Sequence, residues 1–437
     1  MHTGKAAYSR HGLDSSVCGS TLRVNRYSVS DSRCLQSAIE VHEILALASS
    51  NLTISANDGT GFDVEEDFVR ALVSDAPDSW PETLNGTRVL ERLVFHGTEV
   101  LSAAALKEME GVPAEVLDAV ERAALVQGFW EDRHRKVIGD AVDALAEAGI
   151  DSVILKGTAS AYSVYDMPAA RTRGDTDLLI AGENVDRAGR ILGDLGFGRD
   201  TTFSLGGAVT QFSFSQADAS CGWEHVIDLH WSLNNSAVLS RAFSTRELLK
   251  RSVPLARFSA MARAPHPVDA LLITCLHRFV HLVSPYSVEG VDHFSADRLI
   301  WLADIDRLAR TLSDKDWGAL RIEATRRGLA DVTASGLETG QTIFGTPLPE
   351  GLIGEWNASP PSLVDRYLKA GRITRTWMDL RALDGAGAKA AFVRDHLFPR
   401  ADYMHARFGE GGSLSILYLR RVLRGLAKVL RQDLGRP

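Results

Sequence analysis

The sequence predicts an α+β protein, with a small α/β unit set between two helical regions. Two observations predict it. Apolar residues recur at helical spacing before about residue 150 and again after about residue 240. Between those points the period shortens to the alternation of strands, with glycines where the chain changes direction. At 437 residues the chain is too long for one small core. The expected division is 1–35 as a poorly ordered start, 36–150 as a helical region, 151–238 as the α/β core and 239–437 as a second helical region.

Residues 1–35 are Ser-rich, contain arginines and show little periodicity, the pattern of a loose start. Apolar residues fall at helical spacing from Leu35 to Leu47. Loops rich in Asn, Asp, Gly and Pro follow around 50–60 and 75–87, and helical patterns return at 88–108 and 113–127. FWEDRHRKVIGDAVDALAEAGI (129–150) is amphipathic, with Val137, Ile138, Ala141, Ala144, Leu145 and Ala148 along one stripe. Gly149 sits where such a helix stops.

Then the period changes. DSVILKG (151–157) is a short β-rich run ending at glycine, and TASAYSVY (158–165) is helical until Pro168 breaks the pattern. TDLLIAG is a second strand, and VDRAGRILGDLGF (185–197) a helix. GAVTQFSFS (207–215) and WEHVIDLHWSL (223–233) alternate as strands, giving about four strands in all. After about residue 240 the chain reads as almost wholly helical, through PHPVDALLITCLHRFVHLV, ADRLIWLADIDRLARTL and a long stretch from Asp316 to Phe344. The tail, SLSILYLRRVLRGLAKVLRQDL, is an amphipathic, basic helix.

A net charge of -8 argues against a duplex nucleic-acid binder, which more often carries a basic surplus. Cys18, Cys34, Cys221 and Cys275 are scattered, with no CxxC pair or zinc-like spacing. The first 35 residues hold no apolar leader, and no later run approaches the length of a membrane span. A reduced cytoplasmic protein is the expectation.

The chemistry-bearing residues cluster in the α/β unit. In LKGT, a strand ends at Gly157 and a helix begins. Glycine lets a backbone approach a ligand closely, and a helix N-terminus offers free N–H groups to an anion. Thr158 can cap the helix or donate to a phosphate, and Lys156 adds positive charge. The structural alternative is an ordinary strand–helix turn. RGDTDLLI (173–180) sets Asp175 and Asp177 on one face of a strand. Adjacent carboxylates raise each other's pKa, so solvent, an arginine or a metal ion must offset them. Mg²⁺ binds through one or two carboxylates plus substrate phosphates. The alternative is a solvated strand start. In VIDLHW, Val226, Asp228 and His230 share one face, and Ile227, Leu229 and Trp231 the apolar other. A mid-strand carboxylate is costly unless paired or bound to metal. Asp228 either pairs with Arg171 or Arg173, faces solvent, completes a metal site or acts as a base.

The order of these pieces resembles the catalytic layout of the DNA polymerase beta-like nucleotidyltransferase superfamily. LKGTASAY, RTRGDTDLLI and VIDLHWSL look like the hallmark segments of a bacterial family of uncharacterised nucleotidyltransferases, with similarity extending over roughly residues 90–350. The resemblance implies a mixed sheet with helices on one side and an active site at the sheet's edge. It implies that Gly157 and Thr158, with Lys156 and Arg173, hold nucleotide phosphates. It implies that Asp175, Asp177 and Asp228 bind Mg²⁺, or Mn²⁺ in its place. The implied chemistry is attack of an acceptor on the α-phosphate of an NTP. ATP is the expected donor by abundance, and a small molecule, peptide or protein the expected acceptor. Two departures stand out. Gly-Gly or Gly-Ser is usual where this chain has Gly157-Thr158, and sixteen residues (159–174) separate Thr158 from Asp175, more than in many relatives. The rival readings are a nucleotide-sensing module without turnover and a toxin-like enzyme that modifies RNA.

Other residues read as structural. His277 and His281 stand i,i+4 on a helix, but HRFVH lacks the glutamate of metalloprotease helices. Asp304 and Asp306 lie in a helical pattern and point apart. Trp231 and Trp301 read as core. Arg420, Arg421, Arg424, Lys428 and Arg431 form the basic face of the tail helix, whose leucine stripe needs a cover.

Overall fold

A computed structural model describes residues 63–74, 77–200, 210–219, 221–288 and 291–398, with 401, 404, 413–421 and 423. The expected loose start, the helix at Leu35–Leu47, Cys18, Cys34 and the tail residues Arg424, Lys428 and Arg431 lie outside these residues.

Four helices lead in: α1 (Asp63–Ser74), α2 (Gly86–His96), α3 (Glu99–Glu108) and α4 (Ala114–Glu147). The pattern at 88–108 is two helices, because Gly97 takes φ +67 and its N–H closes α2 on the carbonyls of Leu93 and Val94. The patterns at 113–127 and 129–150 are one helix of 34 residues. Gly128 does not break it. A mid-helix glycine costs about 1 kcal/mol relative to alanine, and burial at both ends of α4 outweighs that. Val116 and Val120 pack into the helical core, while Ile138, Val142 and Leu145 pack under the sheet.

The α/β core follows as β1 (Ser152–Ile154), α5 (Lys156–Val164), β2 (Asp175–Ile180), α6 (Val185–Asp194), β3 (Gly198–Arg199), β4 (Gln211–Ala217) and β5 (Glu224–His230). The sheet order is β1-β2-β5-β4-β3. β2 and β5 run parallel and the other pairs antiparallel, so the sheet is mixed as expected. It has five strands, not four; β3 is two residues long, too short to show a period. β4 is described from Gln211, and 207–209 lie outside the described residues.

Alternation divides the faces. Ile154, Leu178, Ile180, Ile227, Leu229 and Phe214 form one buried face, covered by α4 and α6. Asp175, Asp177, Asp228 and His230 fall on the other. Helices reach that second face too, since Val153 and Leu179 join the core of the C-terminal helices. The carboxylates lie on β2 and β5, inside the sheet rather than at its edge.

The C-terminal part holds α7 (Ala237–Ser240), α8 (Thr245–Arg251), α9 (Pro267–Leu282), α10 (Leu299–Arg310), α11 (Asp314–Arg327), α12 (Ala330–Phe344), α13 (Leu352–Asn357), α14 (Leu363–Lys369), α15 (Arg372–Ala382) and α16 (Gly385–Leu397). Two small hairpins interrupt it, β6–β7 (Val253–Pro254, Arg263–Ala264) and β8–β9 (Tyr286–Val288, Val291–His293). Their strands are too short for alternation to register in sequence. In the tail, Leu417 is buried and Arg421 donates to the His396 carbonyl at the end of α16. No helix among the described residues is long and apolar enough to cross a membrane.

Candidate active site

β1 ends where the Leu155 N–H donates to the Asp177 carbonyl at 2.9 Å, which ties the following turn to β2. Lys156 then adopts φ +47, in the left-handed region. For a residue with a side chain this costs about 1–2 kcal/mol. The turn starts α5 without a side-chain cap, so its first N–H groups stay available to an anion.

Gly157 has a packing reason to be glycine: a Cβ there would lie 3.2 Å from Arg171 Nη2. Arg171, open in the sequence reading, is buried and paired with Asp304. Its Nη2 lies 2.8 Å from Asp304 Oδ2, and its Nε donates to both carboxylate oxygens at 2.9 Å. Tyr165 donates to the same carboxylate at 2.9 Å. This pins the long Thr158–Asp175 connection to α10. Asp306 accepts from Thr346 and Arg310, so both helical aspartates are structural, as read.

Thr158 is 1% exposed and its hydroxyl turns inward. It receives Arg173 Nε at 2.8 Å and lies 2.9 Å from Thr176 Oγ1. The Arg173 side chain is 4% exposed and pairs with Glu131 of α4 at 2.7 Å. Tyr162 donates to the same Glu131 oxygen at 2.6 Å, and His134 of α4 meets Thr176 at 2.9 Å. Sequence reasoning missed Glu131 and His134. Their i,i+3 spacing marks a shared helix face, but nothing local says which strand that face meets.

The parallel register sets Asp177 opposite Asp228. Asp177 Oδ1 receives two donors, Lys156 Nζ at 2.6 Å and His230 Nε2 at 2.8 Å. Ligand atoms of Asp177, Asp228 and His230 lie within 4.8 Å of one another, and this is the one such group among the described residues. Asp175, the first residue of β2, is outside it. His230 was readable as sharing Asp228's face, two residues on, but its partner was not.

The charges divide the three carboxyls. Asp177 lies well below the usual carboxylate range, because Lys156 and His230 outweigh its burial. Asp175 is pushed up to about 6, first by desolvation and then by Asp177 and Asp228. Asp228 is also raised, by burial and then by Asp177, with a hydrogen bond from Ser213 opposing. A pair of facing carboxylates is the donor set a hard divalent cation takes. His230 fits beside it as support. Its Nδ1 is buried without a partner, so the proton belongs on Nε2, where Asp177 accepts it.

His277 and His281 pack ring against ring. Their rings sit 4.5 Å apart, and His281 stacks on Trp301 at 5.2 Å. Burial pushes His281 down to about 4 and holds His277 well below its ordinary value. Trp301 is core.

A mixed sheet with facing carboxylates on parallel neighbours, preceded by a strand–Gly–helix turn, defines a nucleotidyltransferase of the DNA polymerase beta-like kind. The cluster at its centre can hold a divalent metal. Residues 83–345 match the family described as uncharacterised nucleotidyltransferase, and the chain belongs to that family. Among curated proteins none matches it.

Proposed function

We propose that this enzyme moves a nucleoside monophosphate, AMP from ATP, onto a hydroxyl or other acceptor of a small molecule, peptide or protein, in the cytoplasm. The observation that carries the reading is the register of Asp177 against Asp228, with Lys156 at the start of α5 bonded to Asp177. The acceptor oxygen attacks the α-phosphorus, the bond to the β-phosphate oxygen breaks, and pyrophosphate leaves. Asp228, more basic than Asp177, takes the acceptor's proton. Asp177 and Asp228, with Asp175 beside them on the same face, would hold Mg²⁺ or Mn²⁺, which would neutralise charge on the triphosphate.

Lys156 and the first-turn N–H groups of α5, Gly157 and Thr158 among them, bind the phosphates. The inward Thr158 hydroxyl and Arg173 shape that turn from behind. A net charge of -8 supports an acceptor other than a polynucleotide. The chemistry is mostly positioning and charge neutralisation.

The test supplies ATP labelled at the α- or the γ-phosphate, with Mg²⁺ or Mn²⁺ and a cell extract as acceptor pool. Label should pass from the α-position only and vanish in Asp177→Ala. Transfer from the γ-position would make the protein a kinase. Metal-dependent nucleotide binding without transfer from any of the four NTPs would make it a sensing module.

A further inference from the structure

We propose that Lys156 is a stand-in cation: its ammonium occupies Asp177 until a divalent cation binds, then moves to the triphosphate. This rests on the nucleotidyl-transfer reading above.

Asp177 Oδ1 is doubly engaged. Lys156 Nζ at 2.6 Å and His230 Nε2 at 2.8 Å use both lone-pair directions of that oxygen. A cation can share it only after one donor leaves. The two donors are not equally free to do so. The His230 side chain is 4% exposed and fixed by its place on β5 beside Leu179. The Lys156 side chain is 22% exposed and ends a flexible four-carbon stem.

Charge points the same way. Asp175, Asp177 and Asp228 crowd one face, and the nearby arginines are spent elsewhere, Arg171 on Asp304 and Arg173 on Glu131. Lys156 is the ammonium that offsets the carboxylates when no metal does. Its backbone supplies an independent sign. A lysine stands in the left-handed region, where glycine fits without strain, and such strain persists where the surroundings hold it for a purpose. Here the turn aims the side chain at Asp177 while leaving its base at the first turn of α5. Once released, the ammonium lies within a stem's length of the N–H groups that receive phosphate.

The experiment measures Mn²⁺ binding by the electron paramagnetic resonance of free Mn²⁺. It also measures binding of a non-hydrolysable ATP analogue by calorimetry. Wild type is compared with Lys156→Gly, Lys156→Arg and Asp177→Asn. Lys156→Gly suits the left-handed backbone and so keeps the fold. It should bind Mn²⁺ about tenfold more tightly without nucleotide, because a competing positive charge is gone. It should bind the analogue about tenfold more weakly with Mn²⁺ present, because a phosphate contact is gone. Lys156→Arg, which keeps the charge, should stay close to wild type for Mn²⁺. Unchanged or weaker Mn²⁺ binding by Lys156→Gly overturns the inference while leaving the metal site standing. Absence of Mn²⁺ binding by wild type with and without the analogue, or binding that survives Asp177→Asn, overturns the metal site and the inference with it.

Discussion

Replacing Asp304 with asparagine keeps the shape of the side chain and removes its charge. In the folded protein that carboxylate takes Arg171 Nε on both oxygens at 2.9 Å, Arg171 Nη2 at 2.8 Å and the Tyr165 hydroxyl at 2.9 Å. The side chains of Arg171 and Asp304 are 9% and 3% exposed, so water cannot replace the lost partner. Removing one member of a buried pair leaves a charge uncompensated and costs about 3–5 kcal/mol. An exposed pair would cost about 1 kcal/mol or less.

The same reasoning makes a second, opposite expectation. Replacing the whole group by apolar side chains, Asp304→Leu with Arg171→Met and Tyr165→Phe, leaves no buried charge and takes a donor only from the half-buried Thr172 carbonyl, so three changes should cost less than the single Asp304→Asn. Urea unfolding followed by tryptophan fluorescence compares the two. Nucleotide affinity should fall in both, because Arg171 packs against Gly157 at the phosphate turn. A loss below about 1 kcal/mol for Asp304→Asn, or a triple variant less stable than the single one, would refute the argument that this pair is a buried, single-purpose tie.

Three further outcomes are expected. Asp228→Asn should lower α-label transfer about a thousandfold and yet raise the melting temperature, since the Asp228 carboxyl is strained upward by burial and by Asp177; a lower melting temperature with activity kept would contradict both halves. Thr158→Val should cost about 1–3 kcal/mol but change nucleotide affinity little, because its hydroxyl faces Thr176 and Arg173 rather than the open turn; calorimetry with an ATP analogue separates the two effects. His134 is held neutral, pushed down to about 2 by burial, with the Arg173 charge adding. The unfolded chain therefore takes up a proton near pH 6.5 before the folded one does. His134's contribution is full above that pH and falls as pH drops, by at most about 1.4 kcal/mol per pH unit. Melts between pH 7.5 and 5 should show a slope of this sign, and His134→Asn should reduce it by His134's share, leaving that of His277 and His281, which burial also lowers.

The sequence carried the site better than the surroundings. Asp177 and Asp228 were legible as strand carboxylates because alternation is a local rule and a charge on an otherwise buried strand stands out wherever the strand pairs, while Asp175, read with them, stands outside the metal-competent group. Their meeting was not local. Asp177 and Asp228 lie opposite because β2 and β5 run parallel, with α6, β3 and β4 threaded between, and no periodicity reports that. The same limit hid Glu131 and His134, which reach the site from a helix whose two halves belong to different cores. The gap between the patterns at 113–127 and 129–150 closes for an energetic reason, since the penalty of about 1 kcal/mol at Gly128 is opposed by burial on both sides of it.

These placements decide where the positive charge at the site comes from. The sequence offered Arg171 and Arg173 to the triphosphate or to the aspartates. In the fold each is consumed by a buried carboxylate brought from a helix, Asp304 from α10 and Glu131 from α4. The arginines thus tie the sixteen-residue connection between Thr158 and Asp175 to those two helices. What remains against three carboxylates and a triphosphate is Lys156, the N–H groups of α5 and whatever cation the aspartates hold. One ammonium cannot neutralise both sides at once. On this accounting dependence on a divalent cation should be strict: chelation should abolish nucleotide binding and transfer alike, and binding that persists in chelator would refute it.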